Sequence, residues 1–315
     1  MKVGRKDVGF RFATGLAGFL IIAIVVAIGI ELTRNSMLSI RKFGFSFWAN
    51  TDWNPVAGEF GALPFIWGTL YSSIAALLIA APIAIGIAVF ISELCPARFR
   101  QPLVFLTELL AAIPSIVYGL WGIFVLVPIV RSFELWTPDW LSAVPLFSGP
   151  PLGVGMLAAA LILAVMVIPY TSSVAREVLK SVPVAQREGA YALGATRFEA
   201  IMAAMYYART GIVGAVMLGL GRALGETMAV TMVIGNNPQV STSLYMPQHT
   251  MAAVIANQFS EAADNLYLNA LIEIGLVLFI ITLAVNTLSR LLIWSMARSA
   301  RSAPAPAAAP APMAV

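Results

Sequence analysis

Residue types on which many enzymes and metalloproteins depend are scarce in this chain. It has a single cysteine, Cys95, and a single histidine, His249. A disulfide within the chain needs two cysteines, and a Cys/His metal cluster needs several ligands, so both are excluded. Paired carboxylates on a polar face are lacking as well. We therefore predict no metal site and no catalytic residues, and a membrane enzyme has little support.

Charge is also scarce, whereas apolar residues dominate. Charged residues make up 11% of the chain and hydrophobic residues 60%, with a mean hydropathy of +0.88. Soluble domains are about 25% charged, so this composition predicts a polytopic membrane protein. No glycine-rich loop precedes a lysine in the P-loop pattern, which excludes a nucleotide site of that kind. The net charge of +4 does not indicate nucleic-acid binding, because the basic residues follow the sidedness of the membrane.

Six apolar runs are long enough to cross a bilayer, which takes about 20 residues. The predicted spans are Phe12–Leu32, Leu63–Ile91, Leu103–Val130, Leu152–Ala175, Gly211–Gly235 and Asn269–Trp294. Of the nineteen Lys and Arg residues, fourteen fall on one side of these spans and four on the other. The positive-inside rule then places both termini in the cytoplasm.

These spans define the expected organisation of an all-α membrane protein. Residues 1–11 form a cytoplasmic N-terminus, and residues 12–298 form a six-helix transmembrane domain with a cytoplasmic loop at 176–209. Residues 299–315 are a tail rich in Pro and Ala that has no apolar face to bury. We expect this tail to be disordered.

The remaining basic residue, Arg222, lies inside the fifth predicted span. A guanidinium at that depth costs at least a few kcal/mol, so an intramembrane charge indicates a functional site by default. On a continuous helix, Glu226 would lie one turn further along on the same face and would partly neutralise Arg222. The spacing alone leaves two interpretations open, a polar pathway and a structural ion pair between helices.

Two further polar residues, one in the fifth span and one in the third, are candidates for a polar path. Thr227 could line it, or could bond its own helix backbone. Ser115 follows Pro114, which interrupts the third span; a helix that restarts there would offer N–H groups to an anion. A simple kink is the commoner outcome, and we expect a kink. His249 falls in an outer loop, which we interpret as a docking or gate surface.

The connection between spans four and five is patterned as a helical hairpin. Its segment Glu188-Gly-Ala-Tyr-Ala-Leu-Gly194-Ala195 is rich in small residues and predicts a short helix, which Gly194 ends in a left-handed turn. Thr196 and Glu199 fit a capping box that opens the next helix. On pattern alone, an interfacial hairpin without a partner is an equal alternative.

The pattern Glu188-x-Ala190-x3-Gly194, before the penultimate span, resembles the EAA loop of ABC importer permeases. The resemblance implies that Glu188, Gly189, Ala190 and Gly194 belong to a coupling helix that docks into a cleft on an ATPase subunit. The sequence departs from the family pattern at Gly189, where Ala is usual. It departs again at Tyr206-Tyr207, in place of the common Leu-Pro.

A second stretch, Gly219-Leu-Gly-Arg-Ala-Leu-Gly-Glu-Thr-Met-Ala-Val230, is similar to a signature of phosphate ABC transporter permeases of the PstC type. Phe45-Ser-Phe-Trp48, Glu93-Leu-Cys-Pro96 and the segment from Glu108 to Gly119 also agree with that family. The likeness runs from about Phe10 to Arg298, which is nearly the whole chain.

This resemblance implies a type I ABC importer permease fold in the bacterial plasma membrane. It implies a translocation path for inorganic phosphate, for which the candidates are Arg222, Glu226, Thr227 and Ser115. The implied partners are a homologous permease of the PstA type, two ATPase subunits of the PstB type and an extracytoplasmic phosphate-binding protein of the PstS type. ATP and Mg would be bound by the ATPase, so this chain needs no cofactor of its own.

Two alternative functions remain. A permease of the same architecture for another oxyanion or small solute would carry the same coupling loop. A secondary carrier driven by an ion gradient is less well supported, because six spans are few for internally repeated carriers. Such a carrier would also not need the Glu188–Gly194 loop.

Overall fold

The computed structural model describes residues 5–138, 140 and 144–301. These residues are mostly helical, and they contain no β-strand beyond two isolated bridges. The α-helices are α1 (Arg5–Asn35), α2 (Met37–Phe43), α3 (Ser46–Ala49), α4 (Leu63–Val89), α5 (Ala97–Ala112), α6 (Ser115–Trp121), α7 (Val127–Trp136), α8 (Met156–Lys180), α9 (Val184–Ala192), α10 (Arg197–Leu224), α11 (Met228–Val233), α12 (Met251–Gln258) and α13 (Asn265–Arg301). A π-helical turn extends α4 through Phe90–Leu94, and another joins α6 to α7.

The prediction of six membrane spans is confirmed. Within the described part of the chain, six helices are long and apolar enough to cross a membrane: Gly9–Asn35, Leu63–Leu94, Ser115–Trp136, Met156–Lys180, Arg197–Leu224 and Asn265–Met296. Four of them match the predicted runs to within a few residues at most ends. The third and fifth differ, and both differences bear on the candidate site.

The third span begins at Ser115, and the prediction of one run from Leu103 with a simple kink is wrong. Helix α5 ends at Ala112, two non-helical residues follow, and α6 restarts at Ser115. The ring of Pro114 clashes with an α-helical conformation at the residue before it, so the chain leaves the helix there. The observed φ of −59° and ψ of 140° at Pro114 make it the N-cap of α6.

The fifth span begins at Arg197 and ends at Leu224, whereas Gly211–Gly235 was predicted. The structured hairpin therefore leads directly into this span, as the capping-box pattern indicated. The last eleven residues of the predicted run include a break at 225–227 and the separate short helix α11.

The chain forms two compact units, each built from three stretches. The first comprises Met1–Ala76, Ile113–Ala164 and Ala223–Thr282. Its core is aromatic and aliphatic, with Phe47, Phe60, Phe65, Met251 and Leu271 fully buried. Rings in this core meet edge to face, as at Trp53 and Phe65, an arrangement that the charge distribution of aromatic rings favours.

The second unit comprises Leu77–Ala112, Val165–Arg222 and Leu283–Val315. Its core is rich in alanine, with Ala88, Ala175, Ala204 and Ala208 buried beside Leu179. Small residues let membrane helices approach closely, where packing rather than hydrophobic burial holds them together. Helix α13 continues to Arg301, and the rest of the predicted tail lies outside the described residues.

Candidate functional site

The segment that contains Arg222 has a helix break that was not predicted from its sequence. Gly225, Glu226 and Thr227 lie between α10 and α11 and belong to neither helix. Glu226 Oε1 accepts a hydrogen bond of 3.3 Å from the backbone N–H of Ala229. The Glu226 carboxylate therefore satisfies a donor in the first turn of α11, where an isolated helix leaves its N–H groups unpaired.

The prediction that Glu226 lies one helical turn beyond Arg222 on the same face is wrong, because the helix ends between them at Leu224. Neither side chain takes part in an ion pair with another described residue. The structure therefore gives no support to the interpretation of Arg222 and Glu226 as a structural pair.

Arg222 is half-buried in the last turn of α10. Its guanidinium carbon lies 5.6 Å from the ring centroid of Tyr170, within the range of a cation–π contact. Its Nε is buried and has no hydrogen-bond partner among the described residues. A buried donor without a partner is costly, so contacts among the described residues do not fully satisfy the Arg222 guanidinium.

Thr227 bonds the backbone beside the break. Its hydroxyl donates to the carbonyl of Gly225 at 3.3 Å, and its own carbonyl accepts from the hydroxyl of Thr231 at 2.7 Å. The Thr227 carbonyl also accepts the backbone N–H of Thr231 at 3.0 Å, the first i to i+4 bond of α11. Of the two uses that the sequence left open for Thr227, the structure shows the bond to the backbone.

Ser115 begins α6, and α6 packs tightly against α11 inside the first unit. A Cβ atom at Gly119 would lie 2.5 Å from Met232 Sδ and 3.1 Å from Ala229 Cα. Only glycine permits this approach without displacing a neighbour. The structure thus brings together two short helices that each follow an interruption, a feature that transporters use to build substrate sites in the membrane.

The hairpin predicted between spans four and five is confirmed. Helix α9 ends before Gly194, whose φ is +84°. The capping box is also confirmed. Thr196 donates its backbone N–H to Glu199 Oε2 at 2.7 Å, and the Glu199 N–H points back to Thr196 Oγ1 at 3.4 Å.

The named residues of this hairpin face outward. Glu188, Gly189 and Gly194 are exposed, and Ala190 is half-buried. Large apolar side chains beside them are exposed as well, including Tyr191 and Leu193, of which Leu193 is 90% exposed. An exposed apolar surface of this kind indicates contact with another protein or with the membrane.

The segment 236–250, the outer loop of the sequence prediction and called the outer segment below, is partly exposed and partly packed into the first unit. His249 is 1% exposed, and a Cβ atom at Gly68 of α4 would overlap its carbonyl oxygen. Burial lowers the pKa of His249 to about 4. His249 therefore belongs to the packed part of this segment, and the interpretation of the loop as a docking or gate surface stays a prediction.

Sequence reasoning missed one polar contact at the base of the hairpin. Arg187 forms an ion pair of 2.6 Å with Glu93, a residue near the end of the second span. The available signal was a carboxylate that ends a long apolar run and an arginine just before the EAA-like pattern. Neither position could be paired with the other from spacing, because they lie far apart in the sequence.

Comparison with known proteins assigns the chain to a family. Residues 82–301 match the family described as binding-protein-dependent transport system inner membrane component. The chain belongs to this family. It is therefore a multi-pass plasma membrane protein and a membrane component of a transport system.

Individual members with high similarity carry one name. The phosphate transport system permease protein PstC of Mesorhizobium japonicum is 44% identical over 293 residues, covering 91% of this chain and 90% of the relative. The protein of that name from Haemophilus influenzae is 47% identical, with coverage of 91% and 93%. The probable PstC of Methanocaldococcus jannaschii is 36% identical, with coverage of 90% and 93%.

Solved structures agree on the fold. The inward-facing MetNI methionine ABC transporter superposes with a TM-score of 0.56 at 15% identity, covering 73% of this chain and 94% of the other. The chain thus has the type I ABC importer permease fold that its resemblance to ABC permeases implied.

Proposed function

We propose that this chain is the translocation subunit of an ATP-driven, binding-protein-dependent importer of inorganic phosphate. The relatives named as phosphate permeases support the substrate at 36–47% identity. The observation that carries the proposal is Arg222, a half-buried guanidinium with an unpartnered Nε at a helix break. A fixed guanidinium offers paired N–H donors that match the oxygens of phosphate.

The proposed partners are a homologous permease, two ATPase subunits and an extracytoplasmic phosphate-binding protein. ATP and Mg would be bound by the ATPase subunits. The exposed apolar residues around Glu188–Gly194 support docking of an ATPase at this hairpin. Specificity would rest with the soluble binding protein, because a path with a single arginine favours transient contact over tight binding.

Glu226, Thr227 and Ser115 complete the proposed path. The Glu226 carboxylate accepts a hydrogen bond from the first turn of α11, shortly after Arg222 in the sequence. Its negative charge would also limit how tightly phosphate is held and thereby favour release. Ser115 begins the other restarted helix, which packs against α11 through Gly119.

Uptake of labelled phosphate by the reconstituted four-component complex tests the role of Arg222. We expect Arg222→Gln to abolish uptake while the complex still assembles. Arg209→Gln is the matched control, since Arg209 lies earlier on α10 and stacks on Tyr206. The exchange of Arg222→Glu with Glu226→Arg should remain inactive. Uptake near the wild-type rate in either variant would contradict the proposed path.

The same reconstitution separates the proposal from a secondary carrier and from another substrate. Omitting the binding protein should abolish high-affinity uptake and leave the membrane complex intact. Undiminished uptake without it would favour a carrier. A complex that transports sulfate in preference to phosphate would favour the alternative oxyanion.

A further inference from the structure

A largely buried ion pair joins the hairpin helix α9 to the end of the second span. Arg187 Nη2 lies 2.6 Å from Glu93 Oε1, and the two side chains are 22% and 13% exposed. Glu93 belongs to the π-helical turn Phe90–Leu94 that ends this span. Removing one partner of such a pair leaves the other charge poorly solvated, so the contact resists opening.

Besides the Glu93 carboxylate, Arg187 binds backbone carbonyls. Its guanidinium also donates to the carbonyls of Leu179 at 3.0 Å and Val182 at 3.0 Å, at and just beyond the end of α8. From the start of α10, Arg197 Nη2 donates to the backbone carbonyl of Glu93 at 2.8 Å. The rigid fork of arginine suits such multiple contacts better than the single ammonium of lysine. The π-helical turn, α8, α9 and α10 therefore meet at Glu93 and Arg187.

Helix α9 has little else to hold it. Along Val184–Ala192, only Arg187 and Ala190 are half-buried, and the other residues are exposed. Its large apolar residues Val184 and Tyr191 are 64% and 51% exposed, so the helix buries little apolar surface against its own unit. A displacement of α9 therefore acts on the second span chiefly through Arg187.

We propose that Glu93 and Arg187 are positioning residues, which form the joint that passes a movement of α9 to the second span. This rests on the proposed function, because it takes α9 as the helix on which an ATPase subunit docks. Breaking the joint should leave the docking surface in place and separate ATP hydrolysis from transport. A contact that serves stability alone would change the amount of complex but not the transport obtained per ATP.

The measurement is phosphate taken up per ATP hydrolysed, in reconstituted complexes matched for bound ATPase subunits. Coupling between distant sites is typically worth about 5–150-fold, so we expect Glu93→Gln to lower this ratio about tenfold. Lys180→Gln is the control. It removes one charge from an exposed ion pair, Lys180–Glu177 at 3.2 Å, close to the same hairpin. A wild-type ratio in Glu93→Gln would overturn the proposal.

The second variant, Arg187→Lys, keeps the proposal testable if Glu93→Gln fails to fold. It keeps a positive charge opposite Glu93 but loses the fork that also reaches Leu179 and Val182, and we expect a loss of about threefold in the ratio. If Glu93→Gln is unstable and Arg187→Lys takes up phosphate per ATP at the wild-type ratio, the pair serves stability alone. That outcome would overturn the proposal. A wild-type complex that transports no phosphate would overturn the proposed function and the joint together, so the two failures are distinguishable.

Discussion

Gly194 and Gly235 have nearly the same positive φ angle in opposite surroundings. Their φ angles are +84° and +89°. A Cβ atom at Gly194 would meet nothing within 4 Å, whereas at Gly235 it would lie 2.6 Å from Pro247 Cβ. The hairpin turn thus requires glycine for its conformation alone, and the outer segment requires it for both conformation and space.

The hydrogen bonds around the two glycines also differ in how far along the chain their partners lie. Around the Gly194 turn the backbone hydrogen bonds join near neighbours, as between Ala195 N–H and the Ala190 carbonyl at 3.1 Å. In the outer segment they join distant parts of the chain: Trp67 Nε1 donates to the Ser241 carbonyl and Tyr71 Oη to the Thr242 carbonyl, each at 2.8 Å. One turn is therefore a local structure, and the other depends on the packing of the whole first unit.

Gly235→Ala should have the largest effect, because it adds a rigid clash to a strained conformation. A residue other than glycine with positive φ costs about 1–2 kcal/mol, and forcing a methyl group into a packed site costs about 1–3 kcal/mol. We expect the free energy of unfolding in detergent to fall by roughly 2–5 kcal/mol. Gly86→Ala is the control, since Gly86 is helical and has open space around it. Equal stability of the two variants would refute the tight packing at Gly235.

Acid should destabilise the outer segment through His249. Burial holds its folded pKa at about 4, below the usual 6.5, so the unfolded chain binds the proton more tightly. The stabilisation from neutral His249 is complete above about pH 6.5 and is lost as the pH falls from there towards 4. The loss should be on the order of 3 kcal/mol.

The measurement is the pH dependence of unfolding for the wild type and His249→Gln. The variant should lack this component, while the carboxylate contributions common to both proteins cancel in the difference. Identical pH profiles would mean that His249 is solvated in the folded protein.

Gly194→Ala should have the smallest effect of the three, because only the conformation is strained. We expect a local cost of about 1–2 kcal/mol, seen as faster hydrogen exchange of the α9 amides. Gly189→Ala is the matched control: it has the same open surroundings but helical φ, and alanine should stabilise α9 by up to about 1 kcal/mol. The ATPase subunits should be retained less well by Gly194→Ala. Similar exchange in both variants would show that the left-handed turn is not required.

The same contrast explains which features could be predicted from the sequence. The capping box of Thr196 and Glu199 and the turn at Gly194 depend on residues within a few positions of each other. The six spans depend on the hydropathy of continuous runs, which is also local information. Resemblance to known permeases, carried by Glu188–Gly194 and the Arg222 segment, indicated the correct family.

The break after Leu224 could not be predicted in this way. The run from Val216 to Val230 is apolar apart from Arg222, Glu226 and Thr227, and it contains no proline. The break is compatible with the fold because α11 packs on α6 at Gly119, a residue far away in sequence. Because the helix ends at Leu224, Glu226 does not share a helical face with Arg222, and the predicted ion pair is not among the contacts of the described residues.

Hydropathy and helix capping act over short stretches of chain, so the amino-acid sequence alone was enough to establish a six-span membrane protein with a capped hairpin. Which polar residues are buried depends instead on tertiary packing. His249 belongs to a segment with the composition of a surface loop, yet it lies under α4. Glu93 and Arg187 face each other only because α9 folds back on the second span. In both cases the partner comes from another part of the chain, and only the packed fold brings the two together.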